Sequence, residues 1–145
     1  MKIKYERGDV LASPHRFVIH GCNAQGVMGA GFAKQIRSHY PFAYKEYRKF
    51  YSEKGLALGE TQFIKCRDRT IINAITQKHY GFDNVRYVSY DAIANVMMAV
   101  EETLYGETVA MPKIGAGLAG GDWKVIEAII ESELKTVKPI VFTLD

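Results

Sequence analysis

Two cysteines in 145 residues, Cys22 and Cys66, stand without metal-ligand spacing and without a secretory context. They are read as reduced thiols, and neither a disulfide framework nor a structural zinc site is expected. No run of eighteen apolar residues occurs, so no membrane partner is expected, and residues 1–145 are read as one soluble domain around one core. The first residues, Met1-Lys2-Ile3-Lys4-Tyr5-Glu6, lack the apolar block and cleavage site of a signal peptide, which makes the cytoplasm the default location. Repeats, linker-like stretches and low-complexity segments are also missing. The net charge of +3 is too small to announce general nucleic-acid binding, yet it is unevenly spread. Through residue 69 there are 13 basic and 6 acidic residues, and beyond it 6 basic and 10 acidic. The run Lys45-Glu46-Tyr47-Arg48-Lys49 reads first as a solvated helix face, with attraction of an anionic ligand as the lesser alternative.

What the chain does have is two glycine-rich loops, each placed between an apolar strand-like run and a helix-like one. The first is Gly21-Cys22-Asn23-Ala24-Gln25-Gly26-Val27-Met28-Gly29-Ala30-Gly31, and the second is Gly115-Ala116-Gly117-Leu118-Ala119-Gly120-Gly121. Loops short of Cβ atoms let several backbone N–H groups converge on one anion, and a helix start behind them adds partial positive charge. Two in one short chain suggest a clamp on a diphosphate. No Gly-Lys-Ser/Thr follows either loop and no metal-holding aspartate stands nearby, so nucleotide hydrolysis by a P-loop route is not expected. The Gly29/Gly31 pair lacks the third glycine of a dinucleotide fingerprint, which argues against Rossmann redox chemistry.

Periodicity predicts strands over 1–5 and 16–20, a helix over 29–39, and a second helix over 41–54 that opens on Pro41 and stops at Gly55. Phe42, Tyr44, Tyr47, Phe50 and Tyr51 on that helix are read as core packing ahead of a base-stacking platform. Strands over 61–66 and 70–75 follow, then a polar loop over 76–86. Ser89 is the expected N-cap of a helix through Leu104. A strand over 109–111, a helix over 122–135 and a strand over 139–144 close the chain. Helices alternating with apolar strands predict an α/β three-layer sandwich. Both glycine loops then fall at carboxyl ends of strands, where such sheets bind ligands. They meet only if their strands are neighbours.

Taken together, Gly8-Asp9-Val10-Leu11, His20-x-x-Asn23 leading into Gly26-x-Met28-Gly29-Ala30-Gly31, Met111-Pro112-Lys113-Ile114-Gly115-Ala116-Gly117-Leu118, Trp123 and Val141-Phe142-Thr143-Leu144 resemble a macro domain, the ADP-ribose-binding module. The resemblance covers essentially the whole chain. It is strongest to the branch of ADP-ribose-1''-phosphate phosphatases and terminal ADP-ribose glycohydrolases. It implies a mixed sheet of about six strands between helices, with ADP-ribose across the strand ends.

The resemblance assigns Asp9 to the adenine amino group, although a turn residue after Gly8 is the plain alternative, and it counts Val10 among the ligand-binding residues. Phe142 packs on the adenine or belongs to the core. Gly26, Met28, Gly29, Ala30 and Gly31 wrap the distal ribose, with Gln77 also in the site. Ile114, Gly115, Ala116, Gly117, Leu118, Ala119 and Gly120 hold the diphosphate. Asn23 suits paired ribose hydroxyls, because an amide both donates and accepts. His20 is a candidate proton carrier or a buried strand residue, and Asp122 an active-site acid, an N-cap or both. The related glycohydrolases carry a lysine where this chain has Ile75-Thr76-Gln77, and an aspartate where it has Ala119. Hydrolysis of ADP-ribose-1''-phosphate, without metal or cofactor, is therefore the first expectation. Removal of ADP-ribose from a macromolecule comes second, and a non-catalytic ADP-ribose-binding module third.

Overall fold

Six segments pair into one sheet: β1 (Lys4–Arg7), β2 (Phe17–Asn23), β3 (Thr61–Lys65), β4 (Thr70–Gln77), β5 (Thr108–Met111) and β6 (Lys138–Thr143). Their spatial order is β1-β6-β5-β2-β4-β3, and every neighbouring pair is parallel except β3 with β4. Four helices, α1 (Gly31–His39), α2 (Pro41–Lys54), α3 (Tyr90–Thr103) and α4 (Trp123–Glu133), cover its faces. This computed structural model describes residues 1–81, 83 and 85–144; positions 82 and 84 of the expected 76–86 loop lie outside the described residues.

Successive strand side chains point to opposite faces, which divides the apolar residues into two cores, one on each side of the sheet, where the sequence predicts one. Val18, Cys22, Ile71 and Ile75 join Ile36, Ala43 and Tyr47 beneath α1 and α2. Ile19, Ile72 and Ala74 join Val96, Met97, Val100, Ile126 and Ile130 beneath α3 and α4. Covered on both faces, β4 is buried continuously from Ile71 to Thr76, as a strand between two helical layers is. The result is the three-layer mixed sandwich expected from the sequence.

Helix ends follow local chemistry. Pro41 opens α2, and Gly55, at φ 77°, closes it. The Ser89 hydroxyl accepts from Ala92 N at 3.1 Å, and Asp122 Oδ1 from Lys124 N at 2.9 Å. Several expected boundaries move, and β1, expected over 1–5, pairs over Lys4–Arg7. β2 runs on to Asn23 and β4 to Gln77, because Gly21, Cys22 and Asn23 pair with Ala74, Ile75 and Gln77, and paired backbone groups near the core cost less than open ones. α1 begins at Gly31 instead of 29, since Ala30 is still extended at φ −150°. Of the α2 aromatics only Tyr47 is fully buried; Phe42 is half exposed.

The sheet order also fixes where a ligand can enter. From β2 the chain passes through α1 and α2 on one face toward β4, whereas from β5 it passes through α4 on the other face toward β6. Connections that diverge from adjacent parallel strands leave a crevice at their carboxyl ends.

Candidate functional site

β2 and β5 are paired neighbours, Val18 opposite Ala110. The two glycine loops therefore stand side by side, and a Cβ at Gly31 would lie 3.9 Å from Leu118 Cδ1 of the other loop. Between them is a cleft of about 510 Å³. It brings together His20, Asn23, Gly29, Ala30, Gly31, Gln77, Ile114, Gly115, Gly117, Leu118 and Ala119. Cys22, Phe32, Tyr80 and Lys113 also line it, and sequence reasoning passed over them. Tyr80 carried the faint signal of an aromatic in a polar loop, and Cys22 and Lys113 stood inside the first loop and the second loop's motif without being singled out; Phe32 had no signal. Among the described residues lining the cleft there is no carboxylate.

The first loop is organised by Asn23. Its Oδ1 accepts from Gln25 N at 3.0 Å and Val27 N at 3.3 Å, and its Nδ2 donates to Val27 O at 2.8 Å. The Tyr47 hydroxyl, reaching up from α2, lies 2.6 Å from Asn23 O and 2.9 Å from Oδ1. Arg48 donates to Gly26 O at 3.0 Å. Gly26 has φ 78°, and a Cβ there would come within 2.7 Å of both Arg48 Nη1 and the Tyr51 ring, so glycine alone fits beneath these two side chains. The run 45–49 is thus more than a solvated face.

The second loop is closed on itself by Ala116 N to Lys113 O, Gly120 N to Gly117 O and Gly121 N to Gly115 O. Ala119 O accepts from Tyr87 N at 2.7 Å and Val88 N at 3.1 Å, which ties the loop to the segment before α3. Gly115, Gly117, Leu118 and Ala119 have N–H groups with no acceptor among the described residues. Across the cleft, no side chain caps α1, leaving its first-turn N–H groups open. Unspent donors from two sides, one set at a helix start, suit a multiply charged anion.

His20 forms part of the cleft floor and is only 1% exposed. Its Nε2 lies 2.7 Å from Asn73 Oδ1. Burial lowers the imidazole from 6.5 to about 4, against the Asn73 hydrogen bond, which raises it. The ring is neutral at physiological pH. Burial also pushes the Cys22 thiol well above its ordinary range, so it offers no thiolate.

Other sequence-derived residues stand apart from the cleft lining. Met28 is buried in the α1/α2 core, and Gly26, Ala116 and Gly120 support the loops. Asp122 is exposed and caps α4. Asp9 caps the short turn Val10–Ala12 through a 2.9 Å bond from Leu11 N, and it borders a separate groove with Tyr40, Phe42, Lys65 and Arg67. Val10 is buried. Phe142 is 8% exposed in the α1/α2 core and meets the His15 ring edge-on at 5.8 Å.

The described residues include no helix long and apolar enough to cross a membrane, and no group of three or more potential metal ligands. A 17.5 kDa protein of Enterobacteria phage T4 is 31% identical over 146 residues, covering 91% of this chain and 90% of its own. The DNA ADP-ribosyl glycohydrolase of Thermus aquaticus is 25% identical over 143 residues; the match takes in 95% of this chain but only 39% of that longer protein. The ADP-ribose 1''-phosphate phosphatase of Lodderomyces elongisporus is 26% identical over 161 residues, covering both chains completely. Among solved structures, a Bacteroides thetaiotaomicron protein superimposes with a TM-score of 0.87 at 31% identity, over 98% of each chain. The Macro domain family model matches residues 19–130, the stretch that contains both loops and the cleft between them, and the chain belongs to that family.

Proposed function

We propose that the cleft binds ADP-ribose and that the protein, working in the cytoplasm, hydrolyses ADP-ribose-1''-phosphate to ADP-ribose and phosphate. The observation that carries this is a set of unspent backbone donors on the second loop and at the uncapped start of α1, on two sides of a cleft that also holds a neutral His20. In this reading the segment from Ile114 to Gly120 holds the diphosphate, and Gly26 to Gly31, with Gln77, encloses the distal ribose. Asn23 keeps one Nδ2 hydrogen for a ribose hydroxyl, and Asp9, Val10 and Phe142 serve the adenine end. Water attacks phosphorus, and the bond from phosphorus to the ribose oxygen breaks. His20 accepts a proton from the water and returns one to the leaving oxygen, while the N–H groups stabilise charge on the phosphoryl oxygens.

Gln77 and Ala119 line the cleft near the places where the related glycohydrolases carry lysine and aspartate. Without those groups, release of ADP-ribose from a macromolecule ranks second, and binding alone third. Asp122 lies outside the cleft lining and caps α4; Asp122→Asn keeps a capping oxygen but loses the acid, so a loss of phosphate release in that variant is what an acid role for Asp122 requires. Phosphate release by the wild-type protein is the deciding assay. Asn23→Ala and His20→Ala are each expected to lower it at least about tenfold, roughly 1.4 kcal/mol of transition-state stabilisation. Saturable ADP-ribose binding with no phosphate release sinks the phosphatase reading.

A further inference from the structure

A polar row crosses three strands beneath α1 and α2. Gln62 of β3 stands opposite Asn73 of β4, and Asn73 opposite His20 of β2, so the three side chains leave the sheet on one face in one line. All are buried, in a layer otherwise built from residues such as Val18, Ile71, Ile75 and Tyr47. Polar groups persist in such a layer when their hydrogen bonds do something apolar side chains cannot.

The bonds in this row run in one direction. Asn73 Nδ2 lies 3.1 Å from the carbonyl oxygen of Ala43, in the first turn of α2. A backbone carbonyl only accepts, so the Asn73 amide must present its NH2 group there. The same group donates to Gln62 Oε1 at 3.3 Å. Oδ1 therefore faces His20 Nε2, 2.7 Å away, and an amide oxygen also only accepts. Nε2 must carry the hydrogen. In a neutral imidazole this leaves Nδ1 as the bare acceptor. Among the described residues its one recorded polar neighbour is Cys22 Sγ at 3.8 Å, a weak donor.

We propose that Asn73 is a positioning residue that locks His20 in the Nε2–H tautomer, so that Nδ1 is the nitrogen that accepts a hydrogen bond or proton from the cleft. One carbonyl of α2 thus decides, through Asn73, which side of the imidazole is basic. The catalytic part of the proposal rests on the reading of the cleft as a phosphatase site; the tautomer itself does not. Of the titratable groups in the same layer, which also holds Tyr40, Tyr44 and Cys66 at its margin, the buried Cys22 of β2 and Tyr47 of α2 are both pushed up by burial and stay neutral. No charged group is hydrogen-bonded to the ring among the described residues.

Long-range proton–nitrogen NMR of the free protein at neutral pH reads the tautomer directly. The expected result is a protonated Nε2 and a bare Nδ1 at His20. Asn73→Leu removes the acceptor and is expected to lower kcat for phosphate release at least about tenfold, with KM changed by less than about twofold. Asn73→Asp keeps an acceptor toward His20 while giving up the donor to the Ala43 carbonyl, and Gln62, whose Nε2 has no partner, can turn to donate to it. That variant is expected to retain the Nε2–H tautomer, recover kcat to within about threefold of wild type, and shift the acid limb of the rate profile upward, because a carboxylate favours the imidazolium. A protonated Nδ1 with bare Nε2 in the wild type overturns the proposal, as does an Asn73→Asp protein no more active than Asn73→Leu. If Asn73→Leu does not fold, the wild-type tautomer and the Asn73→Asp profile decide. A wild-type protein without turnover refutes the phosphatase reading instead, and the spectra still test the lock.

Discussion

Because burial holds the His20 imidazole near 4 while an unfolded histidine titrates near 6.5, the unfolded chain binds more protons between those values. The contribution of His20 to stability then rises with pH across this window. It is complete above pH 6.5 and falls by about 3 kcal/mol as the pH drops to about 4. Urea midpoints measured across the window, in wild type and His20→Gln, check this; an equal slope in both proteins excludes His20 as the cause. At this scale the sequence supplied residue types but few partners. His20 and Asn23 were legible from their place before a glycine loop. Nothing local pointed to Asn73, 53 positions beyond His20, or to Tyr47, 24 beyond Asn23.

Elements read well from sequence where their ends are set by neighbours within a turn, as with Pro41, Gly55 and Ser89. They read less well where pairing from a distant strand extends them, as at Asn23 and Gln77. The second loop offers a clean test, since a Cβ at Gly117 meets nothing within 4 Å. Gly117→Ala is expected to change stability by less than about 0.5 kcal/mol while weakening ADP-ribose, the diphosphate having to approach that backbone closely. Calorimetry showing unchanged affinity would remove the loop from the diphosphate site. A second element-level device is Glu101 near the end of α3. Desolvation raises its carboxyl, but the Thr136 hydroxyl and the N–H groups of Val137, Thr136 and Lys135 outweigh that and hold it at about 2. Its contribution is present above about pH 4.5 and is lost as pH falls toward 2. This window lies mostly below that of His20, and Glu101→Gln is expected to flatten the stability curve between about pH 2 and 4.5.

Over the whole molecule the charge asymmetry of the sequence becomes a division between layers. α1 and α2 carry six basic and two acidic residues, whereas α3 and α4 carry one basic and six acidic. The cleft opens between them at the positive start of α1, so an anionic ligand is steered toward one side. Its association rate is expected to fall as ionic strength rises from about 0.01 to 0.1 M, where the screening length shrinks from about 30 to 10 Å. Lys34→Glu should slow association without altering dissociation, and stopped-flow rates indifferent to both changes would discard steering. The sequence by itself determined the order and type of most elements, their caps, the two donor-rich loops and the macro-domain resemblance, because periodicity, capping and backbone freedom act over a few residues. The tertiary structure alone decided that the loops face each other, since strand order arises from pairing between distant segments. It alone decided that His20 is neutral and meets Asn73 through Nε2, because desolvation and hydrogen-bond direction exist only once β2, β4 and α2 have packed together.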